Sequence, residues 1–423
     1  MPTASELDRH FPRYTDFEPK VPIWCVTPGE GRYLHRFFDT SPVSPSGRYL
    51  AVTRLPQEQR TPKPGDVAEI VVVDLREGTE RVVAQTQGWE PQLGAQVNWG
   101  GSDDALLFSD CDTSDWTPHA VLLNPHTGES RRIDGPLYHA SPDGRLICGT
   151  NPKAMRRTQG GYGVALPNDA VPLNEGAPAD DGLFITDVEA NTRTLAVSLA
   201  DAADKFAEPL GLTDPEKFRV YGFHSKFSPT GERVLFTMRW YSATHGADAF
   251  GVHDMRGQTR YAVLTCKPDG TDLQLGVGPD EWDKDGHHIN WHPDGNALSL
   301  NLRIEQELMT LCRVDLDGSN LRAISELDNG SGHPTVHPDD RHVLTDVYAH
   351  ESRAFGDGTT PLRWIDTHTN EETCIARIPS KTPQGGILRV DPHPAWDRTW
   401  TWVAFNAFPG TRRVYLADFS SLL

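Results

Sequence analysis

A turn that recurs along the chain limits what it can fold into. Ser44-Pro45-Ser46-Gly47, Ser141-Pro142-Asp143-Gly144, Ser228-Pro229-Thr230-Gly231, His292-Pro293-Asp294-Gly295 and His337-Pro338-Asp339-Asp340 each separate two short apolar strands, and Asp397 opens an equivalent turn. Aligning the turns gives seven units, each running strand, turn, strand, gap, third strand and return strand. In the first unit the strands are Tyr49-Leu50-Ala51-Val52 and Glu69-Ile70-Val71-Val72-Val73-Asp74; in the second, Gln96-Val97-Asn98-Trp99, Ala105 to Phe108 and Ala120 to Leu123. Short strands with regular turn signals and no helical periodicity read as an all-β, seven-bladed β-propeller.

The two ends of the sequence support closure. The last unit stops one strand short, after Val414 to Asp418, and Val21 to Val26 is an orphan strand placed to complete it. Pairing the two joins first and last blades and removes exposed edges. Residues 1–423 therefore read as one propeller domain. Within it, 1–20 form an N-terminal extension and 151–181 a long insertion in the third blade. The 37 Gly, 33 Pro and 11 Trp fit a turn-rich β protein, and 423 residues suit a core built from repeats.

A formal net charge of -19 argues against nucleic acid and long polyanions as partners, and leaves room for a short acidic oligomer. No apolar stretch is long enough to cross a bilayer, and Met1 to Pro19 is polar, without a secretory-type core. The six cysteines are scattered, with no CxxC pair, as suits a reducing compartment. The expectation is a cytoplasmic monomer or homodimer without a membrane partner.

Four histidines hold one register: His224, His288, His333 and His393 each lie four residues before a turn. Equivalent positions of a radial repeat face a common axis, so four imidazoles converge at the channel mouth. Each alone is an ordinary pre-strand residue; together they suit a divalent cation such as zinc, manganese or calcium. Asp346 and Asp391 are the best-placed carboxylates. The second strands end on the same face with Arg54, Asp110, Arg239, Arg303, Asp346 with Tyr348, and Asn406, joined by His119 and His139. The insertion adds Arg157 and the Gly160-Gly161-Tyr162-Gly163 turn. No phosphate-binding glycine loop, GxSxG elbow or Ser-His-Asp order is present.

The segment Tyr33-Leu34-His35-Arg36-Phe37-Phe38-Asp39-Thr40-Ser41-Pro42-Val43 resembles the entry strand of seven-bladed propeller polysaccharide lyases. That group comprises ulvan lyases, rhamnose–glucuronate lyases and, more distantly, oligogalacturonate lyases. Pro118-His119 and Tyr138-His139-Ala140-Ser141-Pro142-Asp143-Gly144 are similar to its paired active-site histidines, and Phe236 to Trp240 to a strand ending in Arg-Trp. Gly332-His333-Pro334 and Asp391-Pro392-His393-Pro394 are similar to its late-blade histidine motifs. Oligogalacturonate lyases carry a metal-holding glutamine shortly before a His-Pro-His run; here Leu388 to His393 has none, so either Asp391 takes its place or the metal site differs or is absent.

The resemblance implies β-elimination at a uronic acid, with an ulvan-type or rhamnose–glucuronate linkage favoured. A base takes the C5 proton, an acid protonates the departing O4, and a cationic group neutralises the carboxylate. It implies His139 or His119 as base, Tyr162 or Tyr221 as acid, and Arg239 as carboxylate clamp. His35, Arg54, Arg157, Arg303 and Tyr348 are candidate substrate contacts, and the register histidines would hold the metal. Two rivals differ in what they need. A propeller glycoside hydrolase needs two carboxylates across one pocket, with Asp110 and Asp346 conceivable. A non-catalytic binding propeller needs an apolar channel face.

Overall fold

The computed structural model describes residues 1–245, 259–304 and 308–423. The described residues form seven antiparallel sheets of four strands each, arranged as a propeller. The innermost strands are Tyr33–Leu34, Asn98–Trp99, His139–Ala140, Phe218–Phe227, Gly286–Trp291, Thr335–Val336 and Ala395–Trp396. The recurrent turns have the expected chemistry. Gly47, Gly144, Gly231 and Gly295 all lie at φ between 71 and 77° and donate their N–H to the carbonyl three residues back. Blades six and seven put Asp340 and Trp400 at the same left-handed position, both at φ 56°, a conformation that a side chain adopts less readily than glycine.

The ring closes as the orphan strand implies. Ile23–Cys25 pairs antiparallel with Arg413–Asp418, in the register Ile23 with Ala417, Trp24 with Leu416 and Cys25 with Tyr415. Residues 1–20 are packed rather than loose. The helix Ala4–His10 begins in a Thr3/Glu6 capping box and buries Leu7 beside Phe11 and Trp24, against Val52 of blade one and Leu416 of blade seven. Each fully buried side chain of this size stabilises the seam by ~1.5–3 kcal/mol. Similar apolar clusters fill the other blade interfaces. No helix among the described residues is long and apolar enough to cross a membrane.

Two irregular segments shape the channel. The insertion in blade three carries the short helices Met155–Thr158 and Asn168–Ala170. The main-chain N–H of Gly163 donates to Glu90, and Gly161 O accepts from Gln92 N at 3.3 Å, fastening the insertion to the connection between blades one and two. The second segment, residues 35–43, crosses the ring from Asn406 of blade seven to Gln96 and His139 of blades two and three. It plugs the channel with Phe37 and Phe38, both almost fully buried. Below them, Asp39 pairs with Arg36 and, at 2.9 Å, with Lys226 of blade four. Burial opposes ionisation of Asp39, but the two cations outweigh it and hold the carboxyl well below its ordinary range.

Candidate active site and metal centre

Two of the register histidines reach the axis through local breaks in the inner strands, while His333 and His393 lie just before theirs. Pairing slips between Gly222 and Ser225 in blade four and between His287 and Asn290 in blade five, placing Phe223-His224 and His288 in bulges. His288 and His393 adopt left-handed backbone, at φ 52° and 48°. A bulge of this kind re-aims a side chain that regular pleating would send into the blade interface. All four imidazoles surround the Phe37 ring, with centroids 5.4, 6.3, 5.5 and 4.6 Å from it for His224, His288, His333 and His393.

The four do not form one cluster of equals. His333, His393 and Asp391 each offer a donor atom, and these lie within 4.8 Å of one another. His333 Nδ1 is 2.9 Å from Asp346 Oδ1, which leaves its Nε2 as the donor; that atom is buried without a hydrogen-bond partner. Both ring nitrogens of His393 are likewise buried and unpartnered. Asp346 also accepts the main-chain N–H of His333 at 2.7 Å and of His393 at 3.2 Å, so one carboxylate holds both histidines. Burial pushes the Asp346 carboxyl up, but His333 and these donors outweigh it and the net shift is downward. Two imidazoles and a carboxylate, backed by an orienting carboxylate, are a donor set that fits a borderline divalent metal ion.

His288 stands beside this set, its ring centroid 3.9 Å from that of His333. Its Nδ1 is 2.9 Å from Gly332 O, an acceptor, so Nδ1 carries the proton and Nε2 the lone pair. The Tyr348 hydroxyl lies 3.1 Å from that Nε2 and donates to it. His224 sits apart, stacked at 3.9 Å on Phe223 and at 5.0 Å on Tyr138, with Nε2 unpartnered. Tyr162 packs against both Phe223 and His224, and burial pushes its hydroxyl up to about 12. Arg239 lies over Phe223 at 3.5 Å and donates to Gln159 at 2.7 Å. Arg389 lies 5.6 Å from the Tyr348 ring and donates through Nε to Asp391 at 2.8 Å. Two guanidiniums, a Tyr–His pair and a cation site thus lie around the Phe37 plug and its neighbour Phe223.

Several residues singled out in the sequence lie elsewhere. His139 is two residues further along its inner strand than the register position. Its Nδ1 accepts from Phe227 N at 3.2 Å and its Nε2 is 3.4 Å from Asp39 O, in the segment that carries the plug. Burial pulls its pKa down to about 4. His119 lies within the third strand of blade two, Thr117–Leu123, and turns to Thr117 O, with Arg132, Asp110 and Asp112 as its charged neighbours. It is therefore not brought together with His139. Tyr221 stacks on Tyr241 beneath the insertion, and its hydroxyl accepts from Asn174 N. Arg54 pairs with Glu69 and Glu80, Arg303 with Asp285, and Arg157 holds the carbonyls of Val171 and Pro172. His35 is enclosed against Pro392 and His393, with its pKa pulled down to about 4 by burial. Tyr162, Arg239, Tyr348 and the register histidines do lie together, around Phe37 and its neighbours. Gln159, Arg389 and the Phe37-Phe38 plug were not singled out as site residues. Phe37-Phe38 stood in the entry segment and Arg389 two residues before Asp391; Gln159 had no sequence signal.

No protein-family model and no curated protein matches the sequence. Among solved structures, the fold is similar to an oligogalacturonate lyase in complex with manganese, at TM-score 0.64 and 15% identity over 96% of each chain. It is also similar to an oligogalacturonate lyase from Vibrio parahaemolyticus, at TM-score 0.62 and 12% identity, again over 96% of each chain. The tricorn protease matches more loosely, at TM-score 0.50 and 9% identity, over 92% of this chain and 34% of its own. At these identities the likeness is one of fold.

Proposed function

We propose that the protein is a lyase that cleaves a short uronate-containing oligosaccharide by β-elimination. The observation that carries this reading is the Tyr348–His288 pair, whose His288 ring packs on His333 of the three-donor cation site. Fold likeness to two oligogalacturonate lyases supports the substrate class and puts oligogalacturonate first among the candidates, ahead of ulvan-type and rhamnose–glucuronate linkages.

Held by His333, Asp391 and His393, a divalent cation would supply Lewis-acid neutralisation of the uronate carboxylate. The remaining chemistry belongs to the chain. Arg239, fixed by Phe223 and Gln159, is placed to hold the carboxylate and favour charge moving onto it as C5 loses its proton. Tyr348 Oη takes the C5 proton while passing its own to His288 Nε2, whose lone pair the Gly332 carbonyl has directed there. The C5–H electron pair becomes the C4=C5 bond, the C4–O4 bond breaks, and its electrons go to O4. The dyad then returns its proton to O4, so the same two side chains serve as base and acid. This reading places the base one blade group away from His119 and His139.

The test is the ultraviolet absorbance of the conjugated product, with oligogalacturonate, ulvan and rhamnose–glucuronate oligosaccharides as substrates. Absorbance is expected to rise with manganese, to vanish with chelator, and to fall about a hundredfold in kcat for Tyr348→Phe. New reducing ends without absorbance would mean hydrolysis and sink the proposal.

A further inference from the structure

Asp391 has two claimants. Its Oδ2 lies 3.8 Å from His393 Nε2, facing the other donors of the cation site. The same oxygen is 2.8 Å from Arg389 Nε. The guanidinium therefore occupies the face of the carboxylate that a cation would use.

The surroundings fix the main chain of Arg389, while its side chain is held chiefly through Asp391. Gln92 Nε2 donates to Ile387 O at 2.8 Å, and Arg412 Nη2 donates to Leu388 O at 2.9 Å and Arg389 O at 3.1 Å. The Arg389 side chain is 25% exposed, and its one further bond is a long one, from Nη1 to Gly386 O at 3.4 Å. Its guanidinium lies beside Tyr348, the residue given the proton transfer above.

We propose that Arg389 is a shared counter-ion: it neutralises Asp391 until a cation takes that carboxylate, then turns to the carboxylate of the substrate. This deepens the lyase reading and rests on it for the substrate half. A bound cation repels a guanidinium held against its own ligand, and the partly exposed Arg389 side chain can turn away from it. Cation and uronate then bind with positive coupling, because each draws Arg389 the same way. Arg389 is a positioning and specificity residue in this scheme.

Calorimetric titration with manganese alone tests the competition. Arg389→Ala is expected to bind manganese about tenfold more tightly than the unmodified protein, and Arg389→Lys, which keeps the charge, to restore the weaker affinity. Unchanged or weaker binding in Arg389→Ala overturns the proposal, since a merely structural residue would loosen the site when removed. Galacturonate titrated with and without manganese tests the coupling: tighter binding with manganese is expected, lost in Arg389→Ala. Equal coupling in that variant overturns the substrate half. If the unmodified protein binds no uronate under either condition, that half falls together with the lyase reading, while the manganese arm still decides the contest for Asp391.

Discussion

At the register where blades four to seven present His224, His288, His333 and His393, blades one to three present Thr40, Gln96 and Leu137. The backbone is partly shared across the two arcs: Gln96 has φ 53°, beside 52° for His288 and 48° for His393. The side chains do different work. On the first arc, Thr40 and Gln96 both bond the Arg36 guanidinium. On the second, the imidazoles enclose Phe37, the next residue of the same plug. The left-handed backbone thus recurs on both arcs, at Gln96, His288 and His393, and the side chain placed there decides whether a blade holds the plug or builds the site.

The strongest way to break this comparison is to remove one register residue from each arc. His333→Ala is expected to weaken manganese binding by about a thousandfold, since loss of an outer partner alone costs 10–100-fold. Gln96→Ala, at the same register, is expected to leave that affinity within about threefold. Calorimetry reads both. Equal losses would mean that the cation site depends on the plug as a whole and that the arcs are not separable.

The seam between the arcs is the next target. Asp39 ties the plug to blade four through Lys226, and both charged groups are almost fully buried. Asp39→Ala leaves Lys226 and Arg36 without their carboxylate, and is expected to cost about 3–5 kcal/mol of unfolding free energy by denaturant titration. A loss under about 1 kcal/mol would show that the plug is held by Phe37 and Phe38 packing alone.

The difference between the arcs also explains what the sequence revealed. Blade count, closure and the convergence of four histidines follow from turns at fixed offsets, because each turn sets the phase of its inner strand. How the four divide does not follow. The division depends on bulges at His224 and His288 and on which ring nitrogen finds an acceptor, as His333 finds Asp346 and His288 finds Gly332 O. Those contacts cross blades or lie one turn away in space, where no spacing rule reaches. Arg389 has only its place near Asp391 to mark it, because it follows the short helical connector Gly386–Leu388, outside the strand repeat. His119 shows the converse. Its place before a third strand suggested the mouth, yet within Thr117–Leu123 it turns to its own blade.

The smallest effect lies on the first arc and concerns a proton. Glu90 is almost fully buried and accepts from Gln96 Nε2 at 2.7 Å and from the N–H of Gly163. Burial outweighs these donors and the Arg36 charge, and pushes its carboxyl up to about 8 from an ordinary 4.5. Between those values the folded protein keeps a proton that the unfolded chain has released. Its stabilising contribution is therefore full below about 4.5 and is lost as pH rises toward about 8, by about 1.4 kcal/mol per pH unit. Denaturant titrations at pH 6 and 7 should show that decline, and Glu90→Gln, which cannot ionise, should remove it whatever its absolute stability. The slope should be the same with manganese and with chelator, because Glu90 belongs to the arc that fastens plug and insertion. A slope that chelator abolishes would assign the titration to the histidine arc instead, and would show that the two halves of the ring are electrostatically one.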